Sequence, residues 1–124
     1  MSTIHRHRGQ YGWEGVNVDR YPPEKEMRGV SVRWLIGAAE GAPNFALRYF
    51  EIEPGGWSSL DQHAHEHGVF ILRGQGQVLL GKEESNVGFG DVVYISPYEA
   101  HQFKNAGDEP LGFLCVIPSR EENG

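Results

Sequence analysis

The stretch DQHAHEHGVFILRGQG, Asp61 to Gly76, decides how this sequence is interpreted. It holds three histidines at alternate positions, His63, His65 and His67, directly before an apolar run that ends at glycine. Histidine and carboxylate side chains together bind first-row divalent metals. Because such bonds are about 2.0–2.2 Å long, all ligands of one ion must lie within a few ångströms of one another. The spacing therefore limits which of these side chains can meet.

Strand geometry selects the candidate ligands. A strand rises about 3.3 Å per residue, so side chains at i and i+2 can share one ion, whereas those at i and i+4 lie about 13 Å apart. A three-residue bend centred on His65 leaves Asp61 and His63 as a pair at the end of one strand. His67 then opens the next strand and faces them. The predicted ligands are Asp61, His63 and His67, with His65, in the bend itself, as the alternative.

A fourth ligand is expected from a distant strand, and His101 is the candidate because it opens the run HQFKN after a turn at Pro97. The remaining two histidines lie in HRHR (5–8), which is expected to be a solvated basic tail. Solitary surface histidines are the alternative at each position. A cluster of three with a fourth at the start of a separate strand favours metal binding.

Short apolar runs separated by turns with glycine or proline fill the rest of the chain. The runs are 30–36, 45–53, 68–73, 77–81, 92–96, 101–105 and 111–117. They have strand length and are rich in Val, Ile, Phe and Tyr, and no window keeps a helical period for ten residues. The pattern predicts an all-β sandwich or barrel. Residues 82–91 are expected to be a connection, and GQG at 74–76 a hairpin turn.

The composition limits the class of protein and its partners. A chain of 124 residues with 23% charged and 39% hydrophobic residues predicts one soluble globular domain. The net charge of −6 argues against nucleic acid or anionic lipid as the main partner. The single cysteine, Cys115, lies in the run LGFLCVIP, which predicts a buried apolar position rather than a reactive thiol. The lack of a long apolar segment predicts a cytoplasmic protein without a membrane span.

These motifs together resemble those of the cupins, small double-stranded β-helix barrels. The likeness rests on Gly56, on Asp61-x-His63-x-x-x-His67 before VFILRG, and then on Gly90-Asp91, Pro97, His101 and Asn105. The chain looks most like single-domain cupins of the cupin_2 type in which a histidine replaces the usual glutamate, giving a four-histidine manganese site. Asp61 stands where the first of those histidines is expected, so the implied site has three histidines and one aspartate.

The resemblance also implies an organisation and a cofactor. It implies a barrel over 28–118, an N-terminal extension (1–27) that can contribute to dimer contacts, and a C-terminal tail (119–124). The implied cofactor is one divalent ion, manganese first, with iron, nickel or zinc as alternatives. Small cupins resemble dimers in which a strand crosses to the partner, and VSVRWLI (30–36) is the predicted crossing strand of a homodimer.

Three functions remain open at this stage. Four protein ligands leave two positions of a six-coordinate ion for a small organic substrate, and the resemblance implies an oxidoreductase of the dioxygenase type. The first alternative is a metal-assisted isomerase or epimerase of a sugar or keto acid, with Glu66 or His65 as the base. The second is a barrel that binds a small molecule without chemistry. Val69, Ile71 and Phe103 are predicted to face the barrel interior.

Overall fold

The protein is built almost wholly of antiparallel strands in the computed structural model, which describes residues 1–22 and 26–119. The strands are β1 (His7–Gly9), β2 (Gly12–Trp13), β3 (Asp19–Arg20), β4 (Arg28–Ile36), β5 (Phe45–Trp57), β6 (His67–Arg73), β7 (Gln75–Leu80), β8 (Glu83–Gly88), β9 (Val92–Ile95), β10 (His101–Lys104) and β11 (Leu111–Pro118). A single 3₁₀ turn, Ala38–Glu40, follows β4. Every predicted apolar run overlaps a strand, so the all-β prediction is confirmed.

One long curled sheet forms the barrel. Its strand order is β8-β7-β10-β5-β11-β6-β9, and β4 pairs with both β5 and β3. Residues 45–52 of β5 pair with β11, whereas its last residue, Trp57, pairs with Lys104 of β10. β5 therefore connects the two layers, and the sheet closes on itself as the predicted double-stranded β-helix.

The core lies between the two layers. Along β11 the side chains of Leu111, Phe113, Cys115 and Ile117 are buried, which confirms the prediction for the cysteine. Phe113 stacks on Phe103 of β10 with ring centroids 4.3 Å apart, so the opposite layers meet directly. Burial of one such aromatic side chain contributes roughly 1.5–3 kcal/mol.

The hairpin predicted at 74–76 was wrong. β6 pairs with β9 and β11, whereas β7 pairs with β8 and β10, so this connection carries the chain from one layer to the other. Gly74 has φ of 76°, and a Cβ atom there would collide with the carbonyl oxygen of Pro110. Two apolar runs joined by a glycine turn look the same in sequence whether the runs pair with each other or with other strands.

The connection predicted at 82–91 contains a further strand, β8, which pairs with β7 along its whole length. Residues 83–86 are exposed, so this strand at the end of the sheet shows none of the apolar alternation that identifies the others. No helix in the described ranges is long and apolar enough to cross a membrane.

The N-terminal residues are more ordered than a solvated tail. β1 and β2 form a small hairpin, and Tyr11 between them stacks on Tyr49 of β5 with centroids 5.4 Å apart. His5 Nε2 lies 2.8 Å from Glu40 Oε2, and this hydrogen bond raises the pKa of His5. The segment therefore packs against the outer face of the same chain's barrel.

The predicted division at 27 and 118 remains a prediction, although β4 begins at Arg28 and β11 ends at Pro118. Residues 120–124 of the predicted tail lie outside the described residues. The strand predicted to cross to a partner, 30–36, lies in β4 and pairs with β5 of its own chain.

Candidate metal centre

Three histidines converge at one end of the barrel. His67 opens β6, His101 opens β10, and His63 lies in the connection before β6. One ring nitrogen of each lies within 4.8 Å of the others. Two ligands on opposite sides of an ion are separated by about 4.2–4.4 Å, so side-chain movements of less than about 1 Å bring all three onto one ion. These histidines are positioned to hold a metal ion.

Backbone hydrogen bonds fix the segment that carries His63. Asp61 and His101 exchange two of them, of 3.0 and 2.9 Å, and the predicted bend follows at 64–65. The Tyr98 N–H donates to the His63 carbonyl at 2.5 Å. Tyr98 has φ of 66°, which is uncommon outside glycine, and such backbone strain is typical of functional sites. The connection is therefore held against the start of β10.

His67 carries the strongest sign of a metal site. Its side chain is buried, its Nδ1 lies 3.4 Å from Cys115 Sγ, and its Nε2 is buried without a hydrogen-bond partner among the described residues. An unsatisfied buried polar atom costs about 1–3 kcal/mol. A metal ion between the three histidines would satisfy this nitrogen, so the residues present fit such an ion.

A backbone carbonyl sets the tautomer of His101. Its Nδ1 lies 3.0 Å from the Glu99 carbonyl oxygen, which can only accept a hydrogen bond. Nδ1 is therefore the donor, and Nε2 keeps its lone pair for a ligand bond. A histidine ligand that donates its other N–H to a carbonyl is a common feature of metal sites.

His67 is also held in the form that a metal requires. Burial, with smaller contributions from the nearby His101 and the Arg48 guanidinium, lowers its pKa to about 3. The imidazole is therefore neutral at physiological pH. A neutral ring is the form that coordinates metal.

Asp61 and His65 lie beside the three-histidine group rather than in it. Asp61 Oδ2 is 3.8 Å from His63 Nε2 and accepts a hydrogen bond of 2.7 Å from Ser59. A separation of 3.8 Å suits two ligands of one ion, and Asp61 as fourth ligand remains a prediction. The ring of His65 stacks on that of His63 at 4.9 Å.

Glu66, the predicted alternative base, is directed elsewhere. It is exposed, and its Oε1 accepts a hydrogen bond of 2.6 Å from the Tyr94 hydroxyl. Neither Glu66 nor His65 is among the residues that line the cavity beside the histidines.

A cavity of about 140 Å³ adjoins the three histidines. Its lining combines polar residues with an apolar wall that includes Val69, Ile95, Phe103 and Phe113. Strand alternation in the sequence had predicted that Val69 and Phe103 face inward. The volume lies below the range of about 300–1,000 Å³ typical of drug-sized ligands, so the cavity suits a small molecule.

Two polar residues of this cavity were not predicted to belong to the site. Arg48 Nη2 donates a hydrogen bond of 3.3 Å to Cys115 Sγ. Burial raises the pKa of the Cys115 thiol, and the Arg48 charge opposes that effect. The available signal was strand parity, because side chains two residues apart on a strand share one face. Arg48 shares its face with Phe50, and Cys115 shares its face with Phe113, and both aromatic residues line the cavity.

Comparisons with known proteins identify the same region of the chain. A family model described as "Cupin domain" matches residues 48–117, which include all three converging histidines. A solved cupin 2 conserved barrel protein from Rhodopseudomonas palustris has a TM-score of 0.87 and 36% sequence identity. The likeness covers 98% of this chain and 83% of that one.

Two curated relatives have named activities. A 1-methylthio-D-xylulose 5-phosphate methylsulfurylase from Rhodospirillum rubrum is 40% identical over 114 residues, covering 91% of this chain and 72% of the relative. A glucose-6-phosphate isomerase from Thermococcus onnurineus is 40% identical over 55 residues. That match covers 40% of this chain and only 29% of the isomerase.

Proposed function

The chain belongs to the cupin domain family, and on that premise we propose that it is a divalent-metal-dependent enzyme acting on a small hydroxycarbonyl substrate. One observation carries the proposal: the buried Nε2 of His67 has no partner among the described residues and lies beside His63 and His101 at a cavity. A buried nitrogen that is unsatisfied in the fold itself indicates a site built for a ligand.

The proposed ligand set is His63, His67 and His101, with Asp61 as the fourth. Three imidazoles and one carboxylate suit manganese or iron, and manganese is the first choice; nickel and zinc are the alternatives. A bound ion supplies Lewis acidity, which polarises a carbonyl or hydroxyl oxygen of the substrate. The apolar wall formed by Val69 and its neighbours excludes water from the reacting oxygen.

The relatives favour carbonyl chemistry over oxygen chemistry. The names of the two curated relatives give a xylulose 5-phosphate derivative and glucose 6-phosphate, both phosphorylated sugars. We therefore rank isomerase-like or elimination chemistry on a sugar-like carbonyl compound first. This reverses the order that the sequence alone suggested, in which a dioxygenase came first.

The oxidoreductase of the dioxygenase type is the second candidate. The observation that favours it is the apolar and aromatic lining of the cavity, with Phe103 and Phe113 stacked behind the histidines. Such a wall suits an unsaturated or enolic substrate better than a sugar. Turnover that requires air would support this candidate, and turnover that is equal with and without oxygen would exclude it.

The homodimer is also part of the proposal. The last strand of the curled sheet, β9, exposes Val92 and Tyr94, and Phe89 is exposed just before it. An exposed apolar strand at a sheet edge needs a cover, and a second copy of the chain provides one. A monomer mass by light scattering would rule this out.

Elemental analysis of untagged protein, purified without a chelator, tests the metal site. We expect about one manganese, iron or nickel ion per chain, lost in His63→Ala and in His101→Ala. His7→Ala, in the surface hairpin, is the matched control and keeps the metal. A parent protein that binds no ion even after reloading would contradict the proposal. The loaded protein is then assayed against phosphorylated ketoses with and without oxygen.

A further inference from the structure

The cavity beside the histidines also contains a cation that has no role in holding the metal. We propose that Arg48 binds an oxyanion group of the substrate, either a carboxylate or a phosphate. This inference rests on the proposed function, because the metal site would hold an oxygen at the other end of the same molecule. It assigns a substrate class, a compact anionic carbonyl or hydroxyl compound, and a specificity-determining residue.

The guanidinium of Arg48 is held in a fixed position. Its Cζ lies 5.3 Å from the centre of the Trp34 ring, on the paired strand, and 4.7 Å from that of Phe50. Nη2 donates to Cys115 Sγ at 3.3 Å. Packing between two aromatic rings restricts the rotamers of a long side chain, so little entropy remains to be lost when a ligand binds.

The charge of Arg48 has no carboxylate counter-ion. No Asp or Glu oxygen among the described residues lies within 4.0 Å of it, and its Nε is buried with no hydrogen-bond partner among them. Asp61, which lines the same cavity, instead accepts a hydrogen bond from Ser59. A partly desolvated cation without an anion is costly to keep in a fold. The planar guanidinium fork is well suited to hold a carboxylate or phosphate through two parallel hydrogen bonds.

One sulfur atom sets the distance between the two ends of the proposed site. Cys115 Sγ contacts Arg48 Nη2 at 3.3 Å and His67 Nδ1 at 3.4 Å. The separation of Arg48 Nη2 and His67 Nδ1 therefore cannot exceed the sum of these two distances. In a cavity of about 140 Å³, this favours a substrate whose oxyanion and metal-binding oxygen are separated by only a few bonds.

Calorimetric titration of the metal-loaded protein tests the inference with three small probes. Pyruvate carries a carboxylate, inorganic phosphate carries a phosphoryl group, and hydroxyacetone is neutral but has a carbonyl and a hydroxyl. We expect Arg48→Gln to weaken binding of at least one anionic probe tenfold or more and to leave hydroxyacetone unchanged. Whichever anion loses more affinity identifies the oxyanion.

Two further variants and the metal content separate the possible explanations. Arg48→Lys keeps the charge but loses the fork, and we expect intermediate affinity. Arg28→Gln, an exposed arginine over Trp57, makes the same change in net charge and should bind like the parent. Elemental analysis and thermal unfolding confirm that each variant is folded and loaded.

Two results would overturn the inference: anion affinity that is equal in the parent and Arg48→Gln, or a loaded parent that binds hydroxyacetone but neither anion. Failure of the proposed function is a different result, namely no bound metal in the parent. In that case the same titrations on the metal-free protein still measure whether anion binding depends on Arg48.

Discussion

Protonation of His67 should link the stability of the metal-free protein to pH. Burial lowers the pKa of this imidazole to about 3 in the fold, against 6.5 in an unfolded chain. The unfolded chain takes up the proton first, so the contribution to stability is fully present above about pH 6.5. It is lost progressively as the pH falls from there towards 3.

The size of the effect follows from the shift. One pKa unit corresponds to about 1.4 kcal/mol, so a shift of this size removes about 2 kcal/mol by pH 5 and between about 4 and 5 kcal/mol by pH 3. Two kcal/mol is a large part of the total stability of about 5–15 kcal/mol that is typical of a folded domain. The metal-free protein should therefore unfold at clearly lower urea concentration in mild acid.

Urea unfolding of chelator-treated protein at pH 7.5 and pH 5.0 measures this loss. Because other groups also titrate, the comparison is with His67→Gln, which has no imidazole at this position. We expect the parent to lose about 2 kcal/mol more than that variant between the two pH values, and the surface variant His7→Gln to behave like the parent. Equal losses in the parent and His67→Gln would refute the reasoning.

Three further predictions concern the fold and the metal. Asn105→Ala should cost about 3 kcal/mol in urea unfolding, because the buried amide makes three hydrogen bonds to main-chain groups; a loss below about 1 kcal/mol would contradict this. Gly74→Ala should lower the melting temperature far more than Gly41→Ala, since both glycines have positive φ but only the first would meet a backbone carbonyl. With the free metal ion at about 100 times its dissociation constant, removing the ion should lower the free energy of unfolding by about 2.7 kcal/mol. An unchanged melting curve would indicate that no ion binds.

The convergence of three histidines was predictable because it depends on local chain geometry. The rise per residue of a strand excludes His63 and His67 as neighbours on one straight strand, so a bend between them is required, and the structure contains it. The start of a strand at His101 was visible from the preceding proline. The double-stranded β-helix followed from the resemblance rather than from the apolar runs, which allow a sandwich equally well.

The errors arose where pairing partners lie far apart in the chain. The glycine at 74 marks a change of layer, which depends on the partners of β6 and β7 rather than on the turn itself. β8 was missed because a polar edge strand has no buried face to give it a pattern. Arg48 was missed because its role depends on what faces it across the barrel, Cys115 and His67, which are 67 and 19 positions away in sequence.

Asp61 connects the metal centre to the proposed anion site through charge. A divalent ion and Arg48 together place three positive charges in one small cavity, and the Asp61 carboxylate offsets one of them. Replacing Asp61 by asparagine removes that negative charge and keeps the size of the side chain. Metal binding should weaken, by tenfold or more, because a carboxylate is a stronger ligand than an amide. Binding of an anionic probe to the loaded variant should strengthen, because the net positive charge facing the probe increases.

The two ligands thus respond in opposite directions, which a general loss of structure cannot reproduce. Titration of the parent and Asp61→Asn with manganese, and then with pyruvate or phosphate at saturating manganese, measures both responses. If both affinities fall together, Asp61 supports the fold of the site rather than its charge balance.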